Sequence, residues 1–295
     1  VNCAEVRVID KENGGIVSAR NYGLAQATGT YVLFCDHDDI VFPKTIDLAI
    51  TRANETDADA VIWSTVRYVG KDQFIPCDTV YQNTILDAAA LRQVAIPDML
   101  MNQDNHVMSY IGHLWAGVYR RKTLEMNQIR FRRFVDIEDD YLFVLDFFSC
   151  AHKVCFVTDV GYAWRYNICS ETYKQKYIAN YLQKSDALYQ YIDAKLVPIA
   201  IAPDVQARYE LYRKQDVLIR AIENGYTIQS SDPSERVQIR ARFRADRAAF
   251  RQESIVPYEK RRKRIFVLLR RGLFQIACIY VYADSVYRKI RGKKI

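Results

Sequence analysis

Between residues 13 and 39 the chain reads NGGIVSARNYGLAQATGTYVLFCDHDD, the stretch that narrows the possible folds furthest. A glycine pair opens it as a turn. A helical pattern follows from about Val17 to Ala27, with Gly29 just past it, where helices commonly stop. TYVLFC is then a short apolar run that fits a strand buried on both faces. Asp36, Asp38 and Asp39 follow at once, crowding three carboxylates into four residues. Like charges this close repel, so a cation or hydrogen bonds must offset them. In open α/β sheets, ligands bind at the carboxyl ends of strands, which is where this cluster falls.

The flanking sequence extends the same alternation. EVRVID reads as a strand before the glycine turn, Pro43 opens a second helix to about Asn54, and ADAVIWSTV reads as another strand. From His113 to Trp164 the chain is dense again, and its middle holds a helix whose apolar positions Leu142, Leu145, Phe148 and Val154 roughly follow a 3.6-residue period. Beyond Ser170 strand signals nearly vanish, leaving helices broken near Pro198 to Pro203 and around Ser230 to Pro233. This is an α/β layer followed by a helical C-terminal region, and 295 residues allow one or two domains.

Charge is unevenly distributed. From Tyr258 to Ile295 twelve Lys and Arg face two acids, a local net of +10 within a chain total of +7, so residues 1–257 net −3. With the basic character confined to the end, and no nucleic-acid motif or aromatic platform in a basic groove, nucleic acid is not an expected partner. The tail mixes its cations with apolar residues, and its longest uncharged run, Gly272 to Ala283, is twelve residues. That is too short to span a bilayer and fits a helix lying on an anionic membrane surface, or one packed against the rest of the protein with its Lys and Arg in water. Seven cysteines without a CxxC pair or a regular framework suit a reducing compartment.

By itself the acidic cluster reads more readily as a solvated turn capping the helix at Pro43 than as a site. Its context changes that. Asn13, Gly14, Gly15, Ser18 to Asn21, Gly23, Leu24, Ala27, Gly29, Asp36, Asp38 and Asp39 follow the pattern of the inverting family 2 glycosyltransferases of the GT-A fold, which this segment resembles nearly residue for residue. The resemblance runs over about residues 5–172 and implies a GT-A fold: Rossmann-like, with a mostly parallel sheet and flanking helices. It begins inside the family's domain, so the first strands and the segment that reads the nucleobase are expected to be missing, and the isolated chain is expected to be a poor catalyst. The implied organisation is a partial GT-A domain over 1–172, a helical extension over 173–257 and a basic amphipathic tail over 258–295.

The resemblance also implies roles. Asp36 and Asp38 would lie by the ribose and diphosphate of a nucleotide sugar, expected to be a UDP-sugar, with Asp38 the better candidate for direct contact with a metal. Hard carboxylate oxygens at this spacing suit Mg²⁺ or Mn²⁺. Asn13, Gly15, Arg20 and Asn21 would face the nucleotide, and Arg is apt there as a fixed, forked cation, although a surface Arg on an amphipathic helix reads equally well. His37 is a spacer. Trp115, with His113 beside it, matches the acceptor-side segment and would lie near the sugar of the nucleotide sugar or the acceptor, against the plainer reading of a core Trp. Arg165 and Ser170 match common positions beyond the next strand; Arg165 fits a diphosphate contact or a structural ion pair. His106 and His152 have no assigned role.

Glu138, Asp139 and Asp140 form the second acidic cluster, at the start of a helix, where the helix dipole alone stabilises acids. In the family an E-D pair opens this helix and its Asp is the general base. One acid is surplus here: counting back from AHKV aligns Asp139 and Asp140 with the pair, while the letters alone pick Glu138 and Asp139. Asp140 is preferred, then Asp139, then Glu138, with Asp136 outside the pattern. The expected activity is sugar transfer from a nucleotide-diphosphate sugar to a hydroxyl of a glycan or lipid-linked acceptor, with inversion, in cell-surface polysaccharide synthesis at the inner face of the cell membrane. The rivals are a non-catalytic binding protein that keeps the fold, and a metal-dependent phosphohydrolase, for which four His are few.

Overall fold

The computed structural model describes residues 6–77, 81–100, 113–135, 138–165, 177–230, 232–253 and 260–291. Helix α1 (Gly15–Gln26) starts where the Asn13 side chain accepts the Gly15 N–H at 3.0 Å and Gly15 takes φ +79°, a left-handed conformation open to glycine at little cost. Strand β1 (Tyr31–Leu33) and the short β2 (Ile40–Val41) bracket the acidic turn. Helix α2 (Pro43–Thr56) begins on its proline, whose missing N–H costs nothing at a first helical position, and buries Thr45, Ala49 and Ala53 on one stripe. Strand β3 (Ala60–Gly70), buried over its first seven residues, turns back into β4 (Gln73–Cys77).

Strand β5 (Ile85–Asp87) leads into a short helical segment built from α3 (Ala88–Ala90) and α4 (Ile96–Leu100). Then come β6 (Gly117–Arg120), α5 (Arg121–Met126), α6 (Asp139–Cys150) and the long β7 (Lys153–Arg165). The sheet order is β1-β6-β3-β7-β2, with β4 on β3 and β5 on β7.

The sheet is mixed rather than mostly parallel. Among the described strands only β3 and β7 run parallel, because β6 enters between β1 and β3 antiparallel to both, and the short β2, β4 and β5 join by antiparallel pairing. Nor is β1 buried on both faces: it pairs with β6 alone among the described strands and is half-buried. Val154 belongs to β7, not to the apolar face of α6, because Ala151 leaves the helix in an extended conformation. Buried Asp59 fixes that exit, its carboxylate accepting the His152 N–H and the Thr123 hydroxyl, each at 2.7 Å.

Two cores result. The first packs α2, α4 and α6 on the sheet, with Trp63, Phe143, Phe147, Phe148 and Phe156 at its centre, and takes in Ile192 and Tyr209 from the helices beyond. The second is purely helical. Helices α8 (Pro203–Gly225), α9 (Pro233–Ala245), α10 (Lys260–Arg270) and α11 (Phe274–Ile290) close around Leu218, Ile222, Phe243, Phe250 and Phe274, and α7 (Tyr181–Leu196) contributes to both cores. The basic tail therefore buries one face against α8 and α9. Glu223 on α8 receives both Arg261 and Arg262 at 2.8 Å. Among the described residues Cys35, Cys77, Cys150, Cys155 and Cys278 are free thiols, and no helix is long and apolar enough to cross a membrane.

Candidate active site

The two acidic clusters, about a hundred residues apart in sequence, meet on a single side chain. Arg20, projecting from α1, donates through Nη2 to Asp36 at 3.0 Å and through Nη1 to Asp139 at 2.8 Å and to Asp140. Its side chain is 11% exposed. Burial opposes the guanidinium charge, but Asp140, Asp36 and Asp139 together outweigh it and raise the Arg20 pKa above its usual value. The Phe131 ring lies 5.5 Å away, within cation–π range.

The three acids of the second cluster differ in what their carboxylates do. Glu138 caps the turn before α6, accepting the backbone N–H groups of Phe134 and Val135. Asp139 is buried and held from both sides, by Arg20 and by Arg133 at 2.9 Å. Asp140 keeps 22% of its side chain exposed. Burial pushes its carboxyl up to about 6, Arg20 resists the rise, and Asp139 and Asp36 add to it. A carboxylate that is accessible, partly desolvated and raised toward neutrality has the attributes of a general base.

The first cluster divides in the same way. Asp39 is structural: Oδ2 accepts the Tyr162 hydroxyl at 2.6 Å and Oδ1 accepts the Arg165 N–H at 2.7 Å. The Tyr162 oxygen also accepts the Asp36 N–H at 3.1 Å, so one hydroxyl fixes both ends of the turn. Asp36 gives one oxygen to Arg20. The Asp38 carboxylate has no hydrogen bond or ion pair among the described residues; only its backbone carbonyl is engaged, by Arg165 Nε at 2.9 Å. Among the described residues no three His, Cys, Asp or Glu side chains converge as a cage for a metal ion. Asp38 and the second oxygen of Asp36 are nonetheless hard, adjacent donors, and they suit Mg²⁺ or Mn²⁺ when substrate phosphate and water complete the shell.

Other residues singled out in the sequence have local employment. Asn21 pairs with the backbone of Phe131 in both directions, donating to its carbonyl at 3.0 Å and accepting its N–H at 2.8 Å. Asn13 and Gly15 shape the start of α1. Trp115 is 8% exposed and stacks on Tyr162 at 4.8 Å and on His113 at 4.7 Å, which leaves little of its ring for a sugar. Burial pulls the His113 imidazole down to about 4, so a neutral stack supports the acidic turn from beneath. His106, Asp136 and Ser170 lie outside the described residues. Tyr162 and Arg133 were missed: a strand tyrosine and one arginine among several in IRFRRF carry no signal of their own, since only the fold brings them to the acids.

Residues 2–120 match the family model described as Glycosyl transferase family 2. This segment, less than half of the 295 residues, is similar to glycosyl transferase family 2. Among its relatives is the uncharacterized glycosyltransferase YibD of Escherichia coli (strain K12), 33% identical over 135 residues, 44% of this chain and 36% of that protein. EpsJ of Bacillus subtilis (strain 168), another uncharacterized glycosyltransferase, is 27% identical over 165 residues, 56% of this chain and 46% of that protein. The poly(ribitol-phosphate) beta-N-acetylglucosaminyltransferase TarP of Staphylococcus aureus (strain N315) is 24% identical over 153 residues, 52% of this chain and 42% of TarP. These matches span about half or less of each relative's length. The crystal structure of S. aureus TarS 1-349 in complex with UDP-GlcNAc shares the fold with a TM-score of 0.51 at 17% identity, over 97% of this chain and 75% of that one. The architecture is GT-A-like, with a mixed sheet, flanking helices and a helical C-terminal region.

Proposed function

We propose that this chain is a family 2 glycosyltransferase that moves a sugar from a nucleotide-diphosphate sugar to an acceptor hydroxyl, with residues 1–172 as the catalytic part. One observation carries the reading: Arg20 ties the turn after β1 to the first turn of α6, so Asp36 and Asp140 flank one space. The donor's diphosphate would lie by Asp36 and Asp38, on the side of the turn that Arg165 holds, and these carboxylates would hold a divalent ion that supplies charge neutralisation to the leaving group. The acceptor oxygen attacks the anomeric carbon while the bond to the diphosphate breaks, and the acceptor proton passes to Asp140. A single displacement of this kind inverts the anomeric centre. Arg20 holds Asp140 beside the sugar, and Asp139 anchors Arg20.

The printed names of relatives support a cell-surface polymer as acceptor. One is a poly(ribitol-phosphate) beta-N-acetylglucosaminyltransferase, another a minor teichoic acid biosynthesis protein of Bacillus subtilis (strain 168). UDP-GlcNAc bound to TarS supports a UDP-sugar donor. Such acceptors are assembled at membranes, so we place the protein on the inner face of the cell membrane, held by its basic C-terminal helices.

The test is UDP release from a panel of UDP-sugars with glycan and lipid-linked acceptors, by the wild type and by Asp140→Asn. Transfer should fall by about 10²-fold or more in the variant, the usual worth of a general base, with donor binding retained. A variant as active as the wild type would remove Asp140 from the mechanism. Donor binding without turnover by the wild type would favour the non-catalytic binding protein.

A further inference from the structure

Helix α11 has two apolar faces. Phe274, Ala277, Cys278 and Val281 point into the helical core. Ile276, Ile279, Tyr287 and Ile290 are 49, 65, 49 and 79% exposed, and at 3.6 residues per turn they fall on one side, about half a turn from the buried stripe. A helix needs one such face to pack, and the second has nothing over it among the described residues.

The charge beside that stripe identifies what fits it. On α10, Lys263, Arg264 and Arg270 are exposed on one side with Val267, and Arg271 follows them. Arg264 reaches the Tyr280 hydroxyl at 3.5 Å, so the cations border the outer face of α11. From Lys260 to Arg291 ten Lys and Arg accompany one acid, Asp284, and its carboxylate already serves Arg261 and Arg288, each at 2.9 Å. None of the four α10-side cations has a carboxylate partner among the described residues. A second copy of this chain would set cations against cations. An anionic bilayer offers phosphates to the basic row and an apolar boundary to the stripe.

We infer that the α10–α11 hairpin docks on an anionic phospholipid bilayer, laying Ile276, Ile279, Tyr287 and Ile290 into the headgroup boundary with the α10 cations against lipid phosphates. The helices lie on the surface and do not span it. This rests on the peripheral-membrane part of the proposed function and specifies the face that carries it, since the inner face of α11 is committed to the core.

The experiment is co-sedimentation of the full chain with vesicles of phosphatidylcholine, alone or mixed with phosphatidylserine. Wild type should bind only the anionic vesicles, less so as salt rises. Ile276→Glu with Ile279→Glu should abolish binding, and Lys263→Gln, Arg264→Gln and Arg270→Gln together should weaken it roughly a hundredfold. Val237→Glu, at a 69% exposed position on α9, should bind as wild type does. Circular dichroism and solution binding of UDP should be unchanged in all of them, as the altered side chains are exposed. Wild type that ignores anionic vesicles would overturn the proposal and the membrane reading together. Wild-type binding that survives the isoleucine changes would overturn the face alone. A lipid-free change in sedimentation coefficient on those changes would give the face to a protein partner and overturn the proposal.

Discussion

Burial raises the Asp140 carboxyl to about 6 while Arg20 restrains it, and this fixes the sign of two effects. A base must be deprotonated to act, so transfer should rise with pH through about 6, as an initial-rate profile would show. Fold stability should move the other way for this group. A carboxyl whose folded pKa lies above its ordinary 3.8 favours the protonated form, so its ionisation costs stability above about 6 and the cost is relieved as pH falls. Arg20→Gln removes the restraint. The acid limb should shift to higher pH, and chemical denaturation should show a loss of about 3 kcal/mol, the usual cost of leaving buried charges without their partner. Tyr162→Phe keeps the stack on Trp115 and deletes both hydrogen bonds that shape the acidic turn. Leaving the half-buried Asp39 carboxylate short of a donor should cost about 1–3 kcal/mol and weaken UDP binding measured by calorimetry.

Among the elements, those that hold the site were mostly legible. Asn13 and Gly15, Pro43, and the acids opening α6 are local signals, because caps and turns are short-range physics. What was not legible depends on partners distant in sequence. Nothing in GVYR says that β6 runs antiparallel between β1 and β3, and nothing near Val154 says that Asp59 captures the chain and ends α6 early. Likewise the sequence leaves Trp115 open between a core residue and a sugar contact, and only the fold shows Tyr162 and His113 stacked on its ring. Close packing between elements gives a sharp test at Gly161, where an added Cβ would come within 2.3 Å of the buried Trp63 ring. Gly161→Ala should lower stability by about 1–3 kcal/mol or more through overpacking and shift the β2–β7 edge that carries Tyr162.

At the scale of the whole molecule, the tail is where the structure adds most to the sequence. Its composition fits a helix on an anionic membrane surface or one packed against the rest of the protein, and one face does pack: Phe274 stacks on Phe243 at 5.0 Å and packs edge-on against Tyr226, joining it to α8 and α9. Phe274→Ala should cost about 3–5 kcal/mol, and hydrogen exchange should quicken in α8 to α11 before it does in β3 and β7, because the helical core is separate from the sheet core. The claim on which the rest depends is that the acids after β1 and the acids of α6 serve one bound sugar. A crystal structure of the chain with Mn²⁺ and a UDP-sugar tests it most directly. It should show anomalous density for manganese at Asp38, and the anomeric carbon between the diphosphate and the Asp140 carboxylate. Nucleotide bound elsewhere, or a sugar that leaves Asp140 out of reach, would contradict the account.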